Sequence, residues 1–225
     1  MNSPSKIQLL GYFKRLPKWD YSKPDYITEL ANYVEAADQE AFNVGFKKML
    51  VRTVSCAIGK IPFNKYCFVL NSNQGIGKTG FLKFLCPPLL KAQFATSAKI
   101  EGNGKFLAIC ENLFINLDEL TCYSKYELKK IRVLFEIDKI NHRKPYAQFP
   151  ETFRRTASFI ACTNYPDKRA YFVNSDNFLS FDIKRINHDK GGVNGYNQNI
   201  DIDLVYSQAY ALANGGFNHN PVLEN

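Results

Sequence analysis

The 225-residue sequence predicts an α/β protein built on a mainly parallel central sheet, with a helical segment ahead of it. Three observations carry that prediction. Phe68-Val69-Leu70 reads as a buried strand that runs into a small polar turn and then, from Lys78, into helical apolar spacing at Phe81, Leu82 and Leu85. Leu113 to Leu117 is a second apolar run, closed by Asp118-Glu119, as suits a central strand that delivers acids to the carboxyl edge of a sheet. Ala157 to Cys162 is a third, closed by Thr163-Asn164. The expected division is an arm and helical segment over 1–60, a core over 61–217 and a tail over 218–225, with the chain cut short of a lid or further domain.

The turn after the first strand has the layout of a phosphate-binding loop. Gln74, Gly75, Ile76, Gly77, Lys78, Thr79 and Gly80 are its candidate nucleotide contacts. Backbone N–H groups can cradle a polyphosphate only where residues tolerate unusual dihedrals and close approach, which Gly75 and Gly77 do. Lys78 would reach the outer phosphates and the Thr79 hydroxyl would bind Mg2+. Ser72 stands where the usual pattern has its first glycine, a small residue in place of a smaller one. A glycine turn that merely happens to carry Lys-Thr is the bland alternative, and the strand-turn-helix context argues against it. Asp118 would hold the Mg2+ through water opposite Thr79, Glu119 would polarise the water attacking the γ-phosphate of ATP, and Asn164 could bond that phosphate or that water.

Composition narrows the class. Twenty-nine Lys and Arg against 21 Asp and Glu give a formal charge of +8, which fits a polyanionic partner but is weak evidence by itself. The six cysteines form no Cys-x-x-Cys pair and read as reduced core thiols. His142, His188 and His219 are too dispersed to complete a zinc site. The amino terminus has no charged start followed by a long apolar stretch, and no window approaches a membrane span, so a cytoplasmic location is expected.

Along the chain, residues up to Pro24 have no clear period and read as an arm. Asp25 caps a helix with Ile27, Leu30, Ala31 and Val34 inward, and a second helix runs through Phe42, Phe46, Met49, Leu50, Val54 and Ala57 to Gly59. Lys47, Lys48 and Arg52 are assigned to a solvated face. Cys86-Pro87-Pro88 stops the helix after the loop, Ala95 to Lys105 reads as a loop, and Phe106 to Cys110 as a short helical piece. Ser124 caps a basic amphipathic helix over 125–137 that buries Leu128, Ile131, Leu134 and Phe135. Lys139, His142, Arg143, Lys144 and Tyr146 then form a basic segment with an aromatic, suited to phosphate contact and base stacking or simply to a solvated loop. A strand is expected near 177–183, a Gly-Asn-rich loop over 189–199, and a helix from Asp201 that buries Leu204, Val205, Ala209, Leu212 and Ala213.

Taken together, the sequence resembles the virulence-associated protein E family, phage- and island-encoded ATPases similar to superfamily 3 helicases within the AAA+ group of P-loop NTPases. The resemblance runs from about Trp19 to Phe217. It is carried by Gln74 to Thr79, by Asn116-Leu117-Asp118-Glu119-Leu120, by Arg143-Lys144-Pro145-Tyr146, by Arg154-Arg155 ahead of Thr163-Asn164, and by Asp201-Ile202-Asp203-Leu204-Val205-Tyr206 with Gln208-Ala209-Tyr210. It implies ATP and Mg2+ as cofactors, Asp118 and Glu119 as the acidic pair, Asn164 as the sensor, and a DNA-gripping hairpin carrying Lys139, His142, Arg143 and Lys144. Single-stranded or forked DNA, a homo-oligomeric ring and a primase elsewhere are the implied partners. Where the family tends to supply an arginine to a neighbouring subunit, this sequence has Asn177, leaving Arg154, Arg155, Arg169 and Arg185 as candidate fingers. A DNA-dependent ATPase is the leading expectation, a nucleotide-gated DNA-binding module that barely hydrolyses is the second, and a small-molecule or nucleotide kinase is the weakest.

Overall fold

The computed structural model describes residues 4–96, 105–143, 148–164, 176–189 and 192–220. Eight strands occur among them: β1 (Val34–Ala36), β2 (Cys67–Asn71), β3 (Phe94–Thr96), β4 (Phe114–Glu119), β5 (Lys139–His142), β6 (Glu151–Arg154), β7 (Ser158–Thr163) and β8 (Phe178–Ile186). Six form one sheet in the order β1-β8-β2-β7-β4-β3, and β5 and β6 form a separate antiparallel hairpin. Within the large sheet only β1 is antiparallel to its neighbour. The expected mixed α/β fold with a mostly parallel sheet is therefore present. Its consequence is that β2, β7 and β4 all end on one edge.

Both faces of the sheet are covered, which is why its central strands read as unbroken apolar runs rather than alternating ones. On one face Phe68, Leu70, Phe114 and Ile160 pack with α1 (Pro4–Arg15), α2 (Tyr26–Ala31), α3 (Gln39–Ala57) and the last helix. Phe81 and Leu82 of α4 (Lys78–Phe84) join that layer. On the other face Cys67, Val69, Ile115, Leu117 and Ala161 pack against α5 (Lys105–Glu111) and α6 (Lys125–Phe135). A one-turn α7 (Tyr196–Asn199) precedes the last helix, α8 (Ile202–Asn214).

Several caps fall where the sequence puts them. Thr28 N donates to Asp25 Oδ1 at 3.1 Å, and Ser124 and Glu127 close a reciprocal capping box on α6. Past α3, Gly59 takes φ +81°, and Lys60 N turns back to Ser55 O at 2.8 Å.

Six expectations are corrected. The arm before Pro24 contains α1, whose Leu9, Tyr12 and Phe13 are buried against the α8 layer, with Tyr12 Oη donating to Asp203 Oδ1 at 2.7 Å; its period was masked by aromatics, Gly11 and the flanking prolines. Val34 does not continue α2 but opens β1, pairing with Ile186, and Ala95 and Thr96 belong to β3 rather than to a loop. Arg52 is not on a solvated face: it is buried over the Tyr66 ring and donates to Asn64 Oδ1 at 3.0 Å. Cys122 is an exposed thiol, whereas the other five are buried, and Leu204 is only half buried. Among the described residues no helix is long and apolar enough to cross a membrane.

Candidate functional site

The loop after β2 turns through two left-handed glycines, Gly75 at φ +92° and Gly77 at φ +93°, a conformation that costs any other residue strain. The turn folds around Lys78, which is 4% exposed. Its ammonium donates to Ser72 O at 3.1 Å, Ser72 Oγ at 2.7 Å and Asn73 O at 2.8 Å. Ser72, standing where a glycine is usual, thus contributes a hydroxyl to holding the lysine. Burial lowers the Lys78 pKa below the ordinary lysine value, while Cys162 and Glu119 act against that. Gln74, Gly75, Thr79 and Gly80 lie exposed around this lysine, and Ile76 and Gly77 are half exposed.

Asp118 and Glu119 arrive from β4 through an irregularity. Pairing with β7 slips between Asn116 and Glu119, and within the slip Asp118 takes φ +49°. A bulge of this kind re-aims side chains that would otherwise alternate strictly. Asn116 clamps the bulge from both ends, donating from Nδ2 to Asp118 Oδ1 at 2.6 Å and accepting from Asp118 N at 3.2 Å. Burial raises the Asp118 carboxyl pKa, with Lys83 of α4 pulling it back.

The second acid is pinned by one oxygen. Glu119 Oε1 accepts from Thr121 Oγ1 at 2.5 Å and from the backbone N of Asn164 at 3.2 Å. Its Oε2 is buried with no hydrogen-bond partner among the described residues. An orphaned carboxylate oxygen beside a lysine-bearing loop is costly unless something else is meant to use it.

Cys162, read from sequence as a core thiol, is the hub of the cluster. It sits on β7, which the strand order inserts between β2 and β4. Its Sγ lies 3.8 Å from Thr79 Oγ1 and donates to Asp118 O at 3.4 Å. Thr79, through its hydroxyl, and Asp118, through its backbone carbonyl, therefore both meet one side chain, and the Thr79 hydroxyl and Asp118 carboxylate are of the hard oxygen type that Mg2+ requires. The structure thus brings Lys78, Thr79, Asp118, Glu119 and Asn164 to one edge of the sheet.

The basic residues are elsewhere. Lys139, His142 and Arg143 lie on or just past β5, at the hairpin entered from the opposite, amino edge, where Arg155 N donates to Asp138 O at 2.8 Å. His142 meets Phe153 edge-on and Phe149 is exposed nearby in sequence. Lys144 and Arg169 lie outside the described residues.

The candidate fingers diverge. Arg155 is not placed to reach a neighbouring subunit: it is fully buried, and its guanidinium donates to the carbonyls of Asn64, Leu134, Phe135 and Ala157 at 2.8, 2.9, 2.6 and 2.9 Å. Burial pulls its pKa down to about 10. Arg154 is exposed and donates to Gly59 O at 3.0 Å, at the amino edge. Arg185 is exposed on β8 near Ile76. Asn177 stands at the amino end of β8, bonded to Lys65 O at 2.9 Å, and so faces away from its own loop.

Residues 14–215 match the family of the virulence-associated protein E-like domain. The chain belongs to that family. No curated protein matches it significantly. Among solved structures, the virulence-associated protein E-like chain is similar to two described as apo structures of the NrS-1 C terminal region. The first has a TM-score of 0.59 at 12% identity, covering 97% of this chain and 50% of that one. The second has a TM-score of 0.57 at 12% identity, covering 95% and 48%. The chain thus spans about half the length of the structures it matches, and at that identity the likeness is one of fold.

Proposed function

We propose that this chain is a P-loop NTPase that binds ATP with Mg2+ and hydrolyses it as a helicase-like, DNA-dependent motor in the replication of a phage or mobile element. The observation that carries the reading is the convergence at one sheet edge of a lysine folded into a double-glycine turn with a hydroxyl, two carboxylates and a backbone amide from three separate strands. Lys78 would exchange its loop carbonyls for the β- and γ-phosphates, and Glu119, with one oxygen pinned, would turn the other on the attacking water. Asn164 would orient that water or the γ-phosphate. Thr79 and Asp118 are the residues that would hold Mg2+, which supplies charge neutralisation across the phosphates. The family assignment supports a phage or mobile-element setting, in which DNA would be held at the basic hairpin and copies would assemble in a ring.

Titration calorimetry with ATP and Mg2+, paired with phosphate release with and without single-stranded DNA, tests this. Lys78→Ala is expected to lose binding and turnover together, whereas Glu119→Gln is expected to keep binding and lose turnover. A parent protein that binds neither ATP nor ADP sinks the proposal. The second reading, a nucleotide-gated DNA-binding module with little hydrolysis, is favoured by Asn177 and by the burial of Arg155, which leave fewer arginines to serve a neighbouring active site. Tight ATP binding with negligible turnover at every protein concentration would select it.

A further inference from the structure

Strand β8 outruns its neighbour. Its pairing with β2 ends at Asn71 and Asp182, and residues 183–186 carry the strand past the carboxyl edge, alongside the glycine loop. An open cleft of about 360 Å³ lies there, lined by Ile76, Arg185, Ile186, Asn187, His188 and Asp189. The His188 imidazole covers the loop itself, for a methyl group at Gly77 would come within 2.7 Å of its Cδ2. Gly77 is favoured by its dihedral, and any side chain there would also have to displace the imidazole.

The wall is braced before any ligand arrives. Asn187 N donates to Tyr33 O at 2.7 Å, and the Asp189 carboxylate accepts from Asn194 N at 2.8 Å. The sheet order fixes which end of a nucleotide could reach it. Glu119 and Asn164 lie on the β7–β4 side of the loop and the cleft lies on the β8 side. A polyphosphate whose outer phosphate meets the acids and whose chain follows the loop carries its other end to β8. The lining there is apolar at Ile76 and Ile186, aromatic at His188, and polar at Arg185, Asn187 and Asp189. That combination fits a flat heteroaromatic ring joined to a polyhydroxyl sugar, since the ring offers a face to stack and the sugar hydroxyls offer donors to a carboxylate.

Resting on the nucleotide reading of the loop, we infer that this cleft takes the base and ribose of the nucleotide, and that His188 is the ring against which the base stacks. The test compares ATP with inorganic tripolyphosphate by calorimetry in the parent, His188→Ala and His188→Phe. The parent is expected to bind ATP more tightly than tripolyphosphate. His188→Ala should weaken ATP by on the order of 10-fold, as loss of one base–aromatic stack does, and leave tripolyphosphate unchanged. His188→Phe should retain most of the ATP affinity. A parent that binds the two ligands equally, or a His188→Ala variant that loses both alike, overturns the inference while leaving the loop as a phosphate site. Absence of binding by either ligand instead removes the nucleotide reading on which it rests.

Discussion

Adjacent arginines, Arg154 and Arg155, should respond to the same substitution in opposite ways. Arg155 is 0% exposed and satisfies four carbonyls, two of them in the last turn of α6 where helical carbonyls have no partner of their own. Its guanidinium also lies 5.1 Å from the centre of the Phe159 ring. Arg155→Ala leaves these acceptors buried and unpaired and opens a cavity, a combination that costs about 3–5 kcal/mol by analogy with breaking a buried charged pair. For a chain of this size that is a fall in Tm of about 6–20 °C. Arg154→Ala removes one bond from an exposed side chain and should cost less than about 1 kcal/mol. Arg155→Lys keeps the charge but not the planar fork that reaches carbonyls on α6 and on the segments before β2 and β7, and should fall between. Urea and thermal unfolding of the four proteins measure this. If Arg155→Ala unfolds within about 1 kcal/mol of the parent, water or a rearranged backbone replaces the guanidinium and the anchoring argument is wrong.

Asp118→Asn tests the desolvated carboxyl. Because burial raises its folded-state pKa, the protonated form stabilises the fold below the unfolded value, and that contribution is lost as pH rises through the folded value. The variant, which also tolerates positive φ, should therefore melt at or above the parent at pH 7 without Mg2+. Its advantage should vanish below about pH 4; a lower Tm at pH 7 would refute the desolvation argument. Replacing Lys139 and Arg143 together with Ala should weaken single-stranded DNA binding for unrelated sequences alike and lower the slope of affinity against salt by about 0.7 for each lost phosphate contact. An unchanged slope in fluorescence anisotropy returns the hairpin to a solvated surface.

The sequence by itself determined the pieces whose physics is local. A double-glycine turn before Lys-Thr is legible because the required dihedrals and the lysine's partners all fall within Ser72 to Thr79. The caps at Asp25 and Ser124 are legible for the same reason, as are the buried strands and the inward face of α6, whose periodicity records burial directly. Periodicity does not name a partner, however, so what depended on strand order was hidden. Only the insertion of β7 between β2 and β4 makes Cys162 the hub between Thr79 and Asp118. Only the length of β8 relative to β2 brings His188 over Gly77. Neighbours in sequence, Arg154 and Arg155 carry the same side chain and the same charge. Alternation along the end of β6 turns one outward and the other into the junction of α6 with the sheet, where carbonyls from distant segments, and not its sequence context, decide that it anchors the fold.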